Sequence, residues 1–128
     1  ILLCEDHPLN QEIVVALLKE KGVKVSVAED GKIGVEMFAR SMLGFYDAVL
    51  MDVRMPVMNG YEATEAIRSL SRPDAAEVQI IAMTADAFSD DVQKCMDCGM
   101  NGHIAKPVDP QQLYRALCRS IGVKNRAV

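Results

Sequence analysis

Asp47-Ala48-Val49-Leu50-Met51-Asp52, continuing into Val53-Arg54-Met55-Pro56-Val57-Met58-Asn59-Gly60, is the stretch on which the fold turns. The short apolar run that ends at Asp52 reads as a buried strand. A strand apolar on both sides is covered on both faces, which is the condition of a parallel sheet packed between helices. A loop rich in Pro and Gly follows from Met55 to Gly60, and Tyr61 to Leu70 reads as a helix.

The same alternation extends in both directions. Ile1-Leu2-Leu3-Cys4 is a short apolar run, and Pro8 opens a helix in which Ile13, Val14, Leu17 and Leu18 recur at helical spacing before Gly22 closes it. Val23 to Val27 alternates apolar and polar as a strand does, and Asp30-Gly31 turns the chain into a helix carrying Ile33, Val35, Met37 and Phe38. Ser71 to Glu77 is a loop, Val78 to Met83 a fourth strand, and Ala87 to Cys98 a helix stopped by Gly99. Gly102 to Ala105 is a fifth strand, and Asp109-Pro110 opens a last helix through Ile121. Five βα units in series predict an α/β fold, a single doubly wound parallel sheet with helices on both faces.

The bulk properties bound the function. With 128 residues the chain forms one domain, 1–128, and half of the residues are hydrophobic. A net charge of -4 with scattered Lys and Arg argues against a nucleic-acid partner. No apolar run is long enough to cross a bilayer, and no signal peptide is legible. The chain starts at Ile1 already inside a strand, so it is expected to be a fragment of a longer protein. Cys95-Met96-Asp97-Cys98 lacks the second pair of ligands that a zinc site needs. The expectation is therefore reduced helix cysteines and a cytoplasmic location, with a parent protein that can be membrane-anchored.

In such sheets the chemistry gathers at the C-terminal ends of the strands. Reading the residues there gives Glu5 and Asp6, then Asp52, Thr84 and Lys106. Three carboxylates in one place repel one another unless a cation joins them, and hard oxygen ligands suit Mg²⁺. Lys106 and Thr84 supply an ammonium and a hydroxyl for phosphate oxygens. Phosphoryl transfer asks a protein mainly for positioning and charge neutralisation, and a carboxylate serves as its nucleophile.

These segments resemble the receiver domain of two-component response regulators: Glu5-Asp6, Met51 to Gly60, Met83-Thr84-Ala85 and Ala105-Lys106-Pro107. The resemblance covers nearly the whole chain and implies the flavodoxin-like strand order 2-1-3-4-5. It also implies that Asp52 is the phosphoacceptor and that Asp6, Asp52 and the backbone carbonyl of Arg54 bind Mg²⁺, with Glu5 assisting through a water. Thr84 and Lys106 are implied to contact the phosphoryl group, and Lys106–Pro107 to be a cis peptide. Pro8-Leu9-Asn10-Gln11 and Pro107-Val108-Asp109-Pro110 resemble receivers of hybrid sensor histidine kinases. The implied partners are a histidine kinase core, in the same chain or another, and a histidine-containing phosphotransfer protein; a monomer is expected. A receiver of this kind catalyses its own phosphorylation and dephosphorylation.

Some positions depart from that pattern or remain open. Glu5 stands where Asp is usual, and His103 stands where a Tyr or Phe usually serves as a rotamer switch. His7 reads as a solvated loop residue, because Mg²⁺ prefers oxygen. Arg54 and Asp86 lie two residues beyond Asp52 and Thr84, and a pair across the pocket would hinder the hydrolytic water. Leu9, Val15, Pro107 and Val108 are candidates for an apolar docking patch. Arg54 speaks against a dehalogenase-type phosphatase, because it stands where such an enzyme needs a second Asp. The lack of a G-x-x-x-x-G-K-[ST] loop argues against an ATP-using kinase. A flavin module is disfavoured by Glu5-Asp6, which would repel the cofactor phosphate. A pseudo-receiver, a binding module without the chemistry, would be expected to lack one of the five groups, and all are present.

Overall fold

The computed structural model describes residues 1–84 and 90–126. The elements run β1 (Leu2–Cys4), α1 (Pro8–Glu20), β2 (Ser26–Ala28), α2 (Gly31–Arg40), β3 (Ala48–Asp52) and α3 (Gly60–Arg68). After a 3-10 turn at Pro73–Ala75 come β4 (Gln79–Thr84), α4 (Asp90–Asp97), β5 (Gly102–Ala105) and α5 (Pro110–Arg126). All neighbouring strands pair in parallel, in the order β2-β1-β3-β4-β5, as expected.

The two faces of the pleat account for the apolar strands. Leu2, Cys4, Val49, Met51, Ile80 and Ala82 point to one side and pack with Phe38 of α2, Ala63 and Ile67 of α3, and Cys95 of α4. Leu3, Leu50, Ile81, Met83 and Ile104 point to the other and meet Val14 and Leu18 of α1 with Leu113 and Leu117 of α5. The alternation of period two thus supplies two cores from one set of strands.

Several boundaries and one helix face differ from the sequence reading; α5, for example, runs on to Arg126 rather than ending at Ile121. Strand pairing at β2 begins at Ser26, because its only neighbour β1 has three residues to offer. Val23 and Val25 still pack partly buried against the α1–α5 core. α3 starts one residue earlier, at Gly60, where Asn59 caps it by accepting from the Glu62 amide at 2.9 Å and Glu62 returns the bond to the Asn59 amide. On α1 the apolar stripe is Val14 and Leu18, with Val15 and Leu17 at its margin. Ile13, expected in the stripe, is 42% exposed, and Val15, expected outside it, packs on the core.

Two guanidinium groups tie the periphery. Arg68 donates to the carbonyls of Gly99, Ala75 and Val78 and to the side-chain oxygen of Asn101, so the end of α3 fixes the entry to β4 and the exit from α4. Arg72 forms a bidentate pair with Asp74 at 2.6 and 2.9 Å and stacks over the Phe38 ring. Cys95 is buried and Cys98 half-buried in reduced form, and the Cys98 thiol donates to the Cys95 carbonyl, as expected of helix cysteines. No described helix is long and apolar enough to cross a membrane.

Candidate functional site

The site lies on the rim formed by the C-terminal ends of β1, β3, β4 and β5. Asp52 is the last residue of β3 and only 4% exposed, so its carboxylate sits in the floor of the rim. Glu5 follows β1 and is also buried, whereas Asp6 is exposed. One oxygen from each of Glu5, Asp6 and Asp52 falls within a cluster no wider than 4.8 Å. Thr84 is buried at the end of β4, and its carbonyl accepts the Lys106 amide at 2.8 Å, joining the β4 and β5 ends.

Lys106 enters from the end of β5. Its ammonium Nζ stands 2.9 Å from Asp52 Oδ2 and 3.0 Å from Glu5 Oε1, bridging the two buried carboxylates. The peptide bond between Lys106 and Pro107 is cis, as the resemblance implied. The Nζ contact to Glu5 Oε1 is not aligned as a hydrogen bond, so among the described residues that buried oxygen lacks a directed donor. Glu5 Oε2 accepts from the Asp6 amide at 3.0 Å, and Asp52 Oδ1 accepts from the Arg54 amide at 3.3 Å.

The electrostatics follow from this crowding. Burial, and then hydrogen bonding with Glu5, push the Asp52 carboxyl up to about 7 against the opposing pull of Lys106. Burial also pushes Glu5 upward, but Asp52, Lys106 and Asn10 together outweigh it and hold Glu5 below its ordinary value. Burial lowers Lys106, but its contacts with Asp52 and Glu5 prevail and raise it. The three groups therefore set one another's charge as a unit, Asp52 being the carboxyl held up and Glu5 the one held down.

A cleft of about 490 Å³ opens beside the cluster, lined by Asp6, Arg54, Met55, Pro56, Tyr61 and Lys94 among others. Five of the residues read from the sequence (Glu5, Asp6, Asp52, Thr84 and Lys106) are brought to the rim as expected. The side chain of Arg54 is exposed and lines the cleft. Its proposed pairing with Asp86 falls on a residue outside those described, as does Ala85. His7 is exposed at the start of α1, and His103 is exposed on β5.

Sequence reasoning did not find the supports of Glu5. The Gln11 side-chain Nε2 donates to the Glu5 backbone carbonyl at 2.6 Å, and Asn10 helps hold the Glu5 carboxyl below its ordinary value. The available signal was position: both stand in the first turn of α1, directly above the β1 end. Tyr61 and Lys94 were also missed as cleft residues, and Lys94 has no local signal because α4 brings it there from 42 residues beyond Asp52.

A parallel five-stranded sheet carrying three clustered carboxylates, a buried threonine and a bridging lysine on its C-terminal rim is the arrangement expected of the receiver class of α/β domain. The response regulator receiver domain family matches residues 1–118, and the chain belongs to that family. Hybrid signal transduction histidine kinase I of Dictyostelium discoideum is 34% identical over 119 residues; the match covers 91% of this chain but only 7% of that protein. The receiver domain of sensor histidine kinase PA1611 from Pseudomonas aeruginosa, with a magnesium ion coordinated in its active site cleft, is 42% identical. It superposes with a TM-score of 0.85 over 94% of this chain and 95% of that one. The receiver domain of Ssk1, solved in complex with the histidine phosphotransfer protein Ypd1 of Saccharomyces cerevisiae, belongs to a structure 25% identical with a TM-score of 0.84, covering 96% and 88% of the two chains.

Proposed function

We propose that this domain accepts a phosphoryl group on Asp52 from a phosphohistidine and signals through the resulting change in charge and shape or by passing the group on. The observation that carries this reading is the Asp52 carboxylate, buried at a strand end and held 2.9 Å from the Lys106 ammonium beside Glu5 and Asp6. An Asp52 oxygen attacks the phosphorus while the bond to the donor imidazole nitrogen breaks, and that nitrogen keeps the electron pair. Lys106 and Thr84 then face the oxygens of the bound phosphoryl group. Hydrolysis returns Asp52 to the free carboxylate.

The donor set fits Mg²⁺. It offers hard carboxylate oxygens within one small cluster and a buried Glu5 oxygen without a directed donor. Asp6, Asp52 and the Arg54 carbonyl would hold the ion, with Glu5 acting through a water. When bound, Mg²⁺ neutralises charge on the phosphoryl oxygens. The donor is a histidine kinase core and the next acceptor a histidine-containing phosphotransfer protein. Exposed Leu9 and Ile13 on α1, with exposed Pro107 and partly buried Val108, supply apolar surface for such a partner. The domain is read as the 1–128 receiver portion of a longer, cytoplasmically facing protein of the hybrid kinase kind, itself monomeric. His103 on the exposed side of β5 takes the place of an aromatic switch.

Incubation with phosphoramidate and Mg²⁺, followed by an intact-mass measurement, is expected to give a single phosphate adduct that disappears when the metal is chelated. Metal binding should carry a proton signature as well. Because the Asp52 carboxyl titrates near 7 in the metal-free domain, Mg²⁺ must displace its proton at lower pH. Calorimetry from about pH 5.5 to about pH 8 should show affinity rising by roughly tenfold per pH unit and levelling above 7. An affinity independent of pH across that range contradicts the assignment of Asp52 as a ligand.

A further inference from the structure

Val57 has a φ of 68°, the left-handed region, and among the described residues it is the only one other than glycine with a positive φ. The Met58 amide donates to the Pro56 carbonyl at 2.7 Å across it, which closes a three-residue γ-turn on the strained side of φ. A β-branched side chain is among the least suited to that backbone, whereas Gly or Asn takes it readily. Nor does packing explain the residue: Val57 is 76% exposed and joins neither buried core. Backbone preference and the domain's own interior therefore both leave its identity unaccounted for.

Its position suggests what does account for it. Val57 protrudes from the β3–α3 loop five residues after Asp52, next to Pro56, which lines the cleft with Asp6. Asp52 is nearly buried, so a protein-borne phosphohistidine reaches it only by covering this rim. Exposed Leu9 stands in the first turn of α1, shortly after Glu5 and Asp6 of the same rim. A β-branched side chain also has a stiff χ1, so an anchor held out by a closed turn loses little freedom on docking. We infer that Val57 is an apolar anchor for the helical phosphohistidine protein, and a determinant of which partners exchange phosphate with Asp52. The inference rests on the receiver reading above.

The test compares two donors: phosphorylated Ypd1, which brings a docking surface, and phosphoimidazole, which brings the same phosphorus–nitrogen bond without one. For Val57→Gly and Val57→Asn the ratio of the protein rate to the phosphoimidazole rate is expected to fall about tenfold, and Val57→Ile should retain it. Both polar or small variants should melt no lower than the parent, because each relaxes the turn; a structural role would lower the melting temperature instead. An unchanged ratio in Val57→Asn overturns the inference, as does a parent domain that takes phosphate from Ypd1 no faster than from phosphoimidazole. A stable pair of domains lost on the Val57→Asn change would instead assign the anchor to a second copy of this chain. If neither donor phosphorylates the parent domain, the receiver reading itself fails, which is a separate result.

Discussion

Lys106→Met is expected to slow phosphoryl uptake by roughly 10²–10³-fold and to make the metal-free domain sensitive to alkali. The ammonium stands 2.9 Å from Asp52 and 3.0 Å from Glu5, and no other cation among the described residues pairs with either carboxylate. An acid whose folded pKa lies above its unfolded value stabilises the fold fully below the unfolded value and loses that stabilisation as pH rises through the folded one. For Asp52 the window runs from 3.8 to about 7. Glu5, held low, contributes in the opposite sense: its stabilisation is present above its ordinary 4.5 and is lost as pH falls through the lowered value. Without Lys106 the pull that keeps Asp52 down is gone, so the loss on the alkaline side extends beyond 7. The cost at that side should be about 3 kcal/mol, at the lower end for a buried charge left unpaired, because Lys106 is 22% exposed. Melting curves at about pH 6 and about pH 8.5, with and without Mg²⁺, check this. The variant should melt lower at the higher pH, and the metal should narrow the gap by restoring positive charge. Equal melting at both values contradicts the account of the triad.

Gly60→Ala is expected to lower stability by roughly 3 kcal/mol and the melting temperature by about 10 °C. A Cβ at this position would lie 2.3 Å from the Asp52 carbonyl oxygen and 2.9 Å from the Val53 Cα. Both obstacles are backbone, so no rotamer change relieves them. The first turn of α3 is drawn this close by the Gly60 amide, which donates to the Val53 carbonyl at 2.9 Å. Because the clash falls on the peptide of the phosphoacceptor itself, phosphoryl uptake should fall with stability. Gly102→Ala is the control: a Cβ there meets nothing within 4 Å, and its melting temperature should stay close to the parent's. Similar melting of the two variants contradicts the close approach.

The strand ends made most of the site legible. Each short apolar run stops at a polar residue, and in a parallel sheet those stops share one edge, so the sequence itself places Glu5, Asp6, Asp52, Thr84 and Lys106 together. What stayed hidden is carried by contacts that sequence spacing does not encode. Arg68 reaches Gly99, 31 residues away, and Lys94 joins the cleft through the packing of α4. The exchange of Ile13 and Val15 on α1 has a simple cause. The helix meets the sheet along Val14 and Leu18, and the apolar neighbours on either side are nearly symmetric in sequence, so periodicity alone does not decide which side turns inward. The bridging of two carboxylates by one lysine was only half visible. The sequence brings Lys106 to Asp52, but the burial of Glu5 beside them, with the Gln11 side chain on its backbone carbonyl, is not encoded in spacing.

The most direct test of the central claim locates the phosphate. The domain is phosphorylated with phosphoramidate and Mg²⁺, reduced with borohydride to convert an aspartyl phosphate into homoserine, digested, and sequenced by mass. The account predicts homoserine at position 52 alone, and none when the same procedure is applied to Asp52→Asn. Homoserine at Asp6 or any other carboxylate, or an adduct that survives Asp52→Asn unchanged, would contradict it.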